Sequence, residues 1–148
     1  MTPSDLHTLP LTDDDTLERG LSVLLAPVVR RQLWILFLDD RDILSGPLMP
    51  SDDLPRSPYA LYPGAAKSGD DRTAGESIAE CFARVHEEFD FAALVLVWER
   101  CGSARLDDET RVWARELHRL FRAHGTPVRA QCLLSDRGVR VIPPDDLV

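Results

Sequence analysis

Cys101 leaves an apolar run and is followed by Gly102 and Ser103, a position where α/β enzymes place a nucleophile. A thiol there needs a histidine in contact to act as its base, and contact is set by the fold rather than by spacing. A phosphatase-type loop needs an arginine where Asp107 stands, and Arg105 comes too early. Cys81 and Cys132 make no C-x-x-C pair with Cys101, which argues against a zinc ribbon or a thioredoxin-type site. All three cysteines read as buried, reduced thiols.

Carboxylates crowd the same region, as Glu99, Asp107, Asp108 and Glu109. Such a set could hold a cation or carry a proton, but acids at a helix start ordinarily cap it and face water. His7 lies in the N-terminal segment and His86, His118 and His124 in helical stretches, where His118 and His124 do not share a face. No catalytic or metal-ligating set is complete, so the expectation is no catalytic residue, no metal and no cofactor. Phosphate chemistry lacks its loop, because Gly64, Gly69 and Gly75 are scattered and do not join a strand to a helix. The G-x-S-x-G elbow and the H-x-E with P-C-x-x-C signature of zinc deaminases are also absent.

Binding chemistry is better represented. Trp98 and Arg100 flank Glu99 at the exit of the same apolar run. An indole face and a guanidinium at such a mouth can hold a ligand, and Trp98 can equally be core. Arg111, Arg115, Arg119 and Arg122 recur at three- and four-residue spacing and form one basic stripe. The stripe reads as a docking face for an acidic partner, peptide or phosphate, or as a solvated helix face. The net charge of −8 argues against general nucleic-acid binding and against docking on anionic lipid. The longest apolar run, residues 33–38, is too short to span a bilayer. Residues 1–10 carry no basic segment followed by an apolar one, so the expectation is a cytoplasmic protein with a protein or peptide partner.

The chemistry must be positioned by a chain of 148 residues, 44% hydrophobic and 28% charged, which suits one domain. Residues 1–15 are polar and read as a flexible lead-in to a single domain over residues 16–148. Leu17, Leu21, Leu24 and Leu25 recur at helical spacing behind Asp13, Asp14 and Asp15, and Pro27 ends that helix. Residues 33–38 read as a central strand buried on both faces, with a turn over residues 39–42. Residues 43–49 read as a second strand that Gly46 and Pro47 push to an edge or a bulge. Residues 50–72 read as a long surface loop with a mobile tip, its middle pinned by Tyr59, Leu61 and Tyr62. The spacing of Ile78, Phe82, Val85 and Phe89 predicts a helix over residues 75–89. A buried strand over 91–98 and a helix within 105–124 follow, with Asp107 as N-cap and Gly125 as stop. Trp113, Leu117, Leu120, Phe121 and His124 line its inner face. Alternation over residues 128–134 and return over 139–142 predict a hairpin turning at Asp136, Arg137 and Gly138. The order is α-β-β-α-β-α-β-β, an α/β (α+β) fold with a single mixed sheet packed with helices in two or three layers.

From about Arg31 to Ile142, this order and its hydrophobic pattern resemble the JAB/MPN metalloprotease-like domains, the bacterial RadC-like branch in particular. Residues 33–38 with Asp39 look like the family's first core strand, residues 92–100 like its metal strand, and residues 107–125 like the helix after it. The family holds zinc with a His-x-His-Pro pair and an Asp, and moves a proton with a Glu. The resemblance sets these on Trp98, Arg100 and Cys101, on Thr110 or Arg111, and on Arg31. Arginine stays protonated and indole nitrogen only donates, so none of them supplies the family's chemistry. The resemblance therefore implies a pseudo-enzyme: a non-catalytic binding or scaffold module with Arg31, Trp98, Arg100 and Cys101 as its candidate ligand site. The competing expectation is an enzyme of another class, thiol-dependent through Cys101.

Overall fold

A computed structural model describes residues 1–61 and 71–148. Helix α1 (Asp14–Leu25) begins where the Asp13 carboxylate accepts from the Thr16 amide at 2.8 Å and its hydroxyl at 2.9 Å. Strand β1 (Gln32–Leu38) follows, then β2 (Leu44–Ser51), which pairs with it antiparallel. Helix α2 (Ala74–Glu88) starts at a reciprocal cap in which Thr73 and Glu76 each satisfy the other's backbone amide. Strand β3 (Ala93–Glu99) lies between β1, antiparallel, and β4 (Val128–Ser135), parallel. Helix α3 (Asp108–His124) makes the parallel crossover from β3 to β4. Asp107 caps its start, and Gly125 at φ +72° turns the chain out of it. Strand β5 (Gly138–Val141) closes the sheet, whose order is β2-β1-β3-β4-β5.

Alternation along the strands separates two cores. Leu33, Ile35 and Phe37 of β1 join Leu94, Leu96 and Trp98 of β3 under Ile78 and Phe82 of α2 and Trp113 and Leu117 of α3. Leu36 and Leu38 join Val95, Val97, Cys132 and Leu134 against Leu17 and Leu21 of α1 on the other face. The molecule is thus a three-layer α/β sandwich around one mixed sheet, in the element order that the hydrophobic pattern predicts. β2 lies at the sheet edge, and its register with β1 slips between Ile35 and Phe37, where Gly46 takes φ +73° beside Pro47.

Four local expectations change. Residues 1–15 do not hang free: a 3-10 turn at Pro3–His7 and the chain after it bring Leu6 and Leu11 into the α1 core. The loop after β2 is pinned by Leu54, by Pro55, whose carbonyl accepts from Trp113 Nε1 at 3.0 Å, and by Pro58, whose carbonyl accepts from the Gly75 amide at 2.9 Å. Tyr59 and Leu61 face solvent instead, while Tyr62, Gly64, Gly69 and the loop tip lie outside the described residues. Phe89 falls just past the end of α2 in extended backbone and is 64% exposed, so it leaves the apolar stripe. Only Cys132 is a buried thiol, pushed up to about 12 by loss of hydration, whereas Cys81 and Cys101 are exposed.

Candidate functional site

The exit of β3, the entry of β1 and the first turn of α3 meet at one end of the sheet. Antiparallel pairing of β1 with β3 sets Gln32 opposite Glu99, which fixes this meeting. Glu99 is the last residue of β3 and is 1% exposed. Its carboxylate is held by four donors: Oε2 accepts from the Val29 amide at 2.6 Å and the Arg30 amide at 3.0 Å, and Oε1 from Gln32 Nε2 at 2.9 Å and Trp34 Nε1 at 2.8 Å. Burial raises the Glu99 carboxyl, but the hydrogen bonds from Val29, Arg30, Trp34 and Gln32 outweigh it and hold the group below its ordinary value. Glu99 has no lone pair directed at a vacant position, so it clasps the segment before β1 to β3 and is not poised for proton transfer.

Arg100 points the same way along the strand as Trp98 and packs over its ring, with the guanidinium carbon 5.4 Å from the ring centroid. The Arg100 Nε donates to Thr110 Oγ1 at 2.8 Å, and Nη1 donates to the Glu99 carbonyl at 2.8 Å and the Gln32 carbonyl at 3.3 Å. These acceptors are all neutral. Among the described residues no carboxylate pairs with Arg100, although it is only 8% exposed. Loss of hydration, then repulsion from Arg31, lowers its pKa to about 10, so the guanidinium remains charged at neutral pH.

Arg31 stands at the rim, with Nη2 3.1 Å from Glu109 and Nη1 3.8 Å from Asp107. Arg56 reaches the other oxygen of Glu109 at 3.7 Å. Arg31, Arg56 and Arg100 thereby line one recess of about 140 Å³, whose floor and walls include Gln32, Leu33, Pro55 and Trp113. Of the candidate residues, Arg31 and Arg100 converge here and Thr110 holds Arg100. Thr110, not Arg111, occupies the contact position on α3.

Trp98 takes the core alternative. It is fully buried beneath Arg100, against Trp113, with Nε1 donating to Gln131 Oε1 at 2.8 Å. Cys101 is exposed beyond the strand, and among the described residues no histidine hydrogen-bonds to it. The arginine stripe divides. Arg115, Arg119 and Arg122 line a separate groove of about 500 Å³ with Tyr59, Glu116 and His118, while Arg111 lies outside it beside Asp108. Two of the groove's guanidiniums are engaged internally, Arg119 with Glu116 at 2.7 Å and Arg115 with the Asp146 carbonyl at 2.9 Å.

Sequence reasoning grouped Glu99 with the helix-capping acids and passed over Arg56 and Gln131. The signal for Glu99 was present: an acid continuing a buried apolar run has to find donors inside. Arg56 had no such signal, since its place depends on how the loop after β2 folds back. Among the described residues no three His, Cys, Asp or Glu side chains gather in a way that could hold a metal ion. The donor set at the recess does not fit zinc, because guanidinium has no free lone pair to offer and Thr110 is already bound to Arg100. Among the described residues no helix is long and apolar enough to cross a membrane. No protein-family model, no curated protein and no solved structure matches the chain.

Proposed function

We propose that this chain is a non-catalytic JAB/MPN-like domain of the RadC-like kind, with the metal motif lost, serving as a binding or scaffold module. The supporting observation is a convergence. The resemblance sets the family's proton-handling Glu, its two His and its Asp on Arg31, Trp98, Arg100 and Thr110 or Arg111. Arg100 touches both Trp98 and Thr110, and Arg31 shares its recess. The pairing of β1 with β3 brings the two strand ends together, and the start of α3 closes over them. What such a site can do follows from its groups: fixed cations and hydrogen-bond donors recognise a partner, and none of them can carry a metal-bound water. A protein or peptide partner and a cytoplasmic setting go with this reading. The thiol-dependent alternative through Cys101 gains no support from the geometry, since among the described residues no histidine hydrogen-bonds to that thiol.

The reading is tested by elemental analysis of the purified chain. Background zinc, with no peptide bond cleaved on prolonged incubation, is the expected result. Stoichiometric zinc would overturn it.

A further inference from the structure

A buried guanidinium without a counter-ion is unusual, because desolvating a charge is costly unless another charge compensates it nearby. Among the described residues no carboxylate forms an ion pair with buried Arg100, and Asp107, Glu109 and Glu99 act on its charge only from beyond pairing distance. The Arg100 Nε and Nη1 are spent on Thr110 and on two backbone carbonyls, which orient the fork without neutralising it. Its Nη2 donates to no protein group among the described residues, and the side chain lines the recess that Arg31 and Arg56 also line. Thr110, itself fully buried, and the Trp98 face lock the rotamer, so the charge is preorganised at little entropic cost on binding. The nearest acids are already committed: Glu99 to its four donors, Glu109 to Arg31 and Arg56, and Asp107 to the cap of α3.

We infer that the Arg31–Arg56–Arg100 recess is an oxyanion site, taking one carboxylate or phosphoryl group of a ligand or partner onto the unpaired Nη2 of Arg100. This names the ligand chemistry of the module proposed above and rests on that reading. The space suits a head group of a few heavy atoms. Arg31 and Arg56 at the rim share Glu109, so an entering oxyanion can be exchanged for it without unpairing either arginine. Planar, donor-rich guanidinium is the side chain best matched to such groups.

The test is an NMR titration of the full chain with sodium acetate and, separately, inorganic phosphate, each against sodium chloride at equal ionic strength. The Arg100 Nε–H and the Trp113 indole N–H, which flank the recess, should shift saturably with one of the oxyanions and not with chloride. Saturation by acetate assigns a carboxylate, and saturation by phosphate a phosphoryl group. Arg56→Ala, at a side chain 91% exposed, should weaken binding by about threefold, the size expected of an exposed charge. Arg100→Lys should abolish saturation, because an ammonium loses the oriented fork, and Arg122→Ala in the other groove should leave it unchanged. Absence of saturation with both anions overturns the inference, and so does an Arg56→Ala titration that matches wild type. Failure here in zinc-free protein sinks the oxyanion site alone, whereas stoichiometric zinc sinks the reading beneath it.

Discussion

Glu99→Ala should lower the unfolding free energy by about 3 kcal/mol, read from urea denaturation at neutral pH. The substitution strips the partner from the Trp34 indole, the Gln32 amide and the Val29 and Arg30 backbone amides at once. The two backbone amides are near the surface and can take water, so the cost is less than four separate losses. The indole and the glutamine amide, half-buried on β1, have less access to water. Glu99→Gln should cost roughly half as much, since one amide oxygen still accepts while the amide nitrogen faces donors. The carboxyl's folded value lies below its ordinary 4.5, so its contribution is fully present above that value and fades as pH falls through the lowered one. The stability gap between wild type and Glu99→Gln should therefore be constant at neutral pH and narrow once the pH drops below 4.5. A gap independent of pH would show that Glu99 is not a charged clasp.

Trp98→Ala should cost about 3–5 kcal/mol, the range for emptying a buried aromatic site. The indole is among the largest fully buried side chains, and it touches both Trp113 and the underside of Arg100. Trp98→Phe separates shape from hydrogen bonding. It keeps an aromatic ring but leaves Gln131 Oε1 without its donor, at about 1–2 kcal/mol. Adding Gln131→Leu should recover part of that loss, because the other amide contact of Gln131 is to the Ala114 carbonyl within α3. Thermal or urea unfolding of the single and double variants measures this coupling. If Trp98→Ala stayed within about 1 kcal/mol of wild type, the indole would not be the support on which Arg100 rests.

Much of the scaffold was legible because its signals are local. Apolar runs named β1 and β3, alternation named β4, Asp13 and Asp107 named two helix starts, and Gly46 with Pro47 marked the edge strand. The site was legible only in part. Arg31 lies far from Arg100 and Thr110 in the chain, and they could be grouped only because a resemblance aligned them. Trp98 carried two readings that no spacing could separate, since the choice depends on whether α3 covers it. Leu6 and Leu11 sit in a polar segment with no periodicity, so their burial follows from docking on α1 and not from any local pattern. Cys81 and Cys101 were assigned to the interior on residue type, yet one is exposed on α2 and the other is exposed past the strand end.

The central claim, that the recess stands where a zinc site has been replaced, is tested most directly by restoring the family's residues. The chain carrying Arg31→Glu, Trp98→His, Arg100→His and Thr110→Asp together should take up stoichiometric zinc and fold in its presence, by elemental analysis and circular dichroism, while the wild-type chain takes up none. Binding by the metal would offset the loss of the Trp98 packing, since it stabilises only the folded form. A restored chain that folds without taking up zinc, or that zinc fails to fold, would contradict the account.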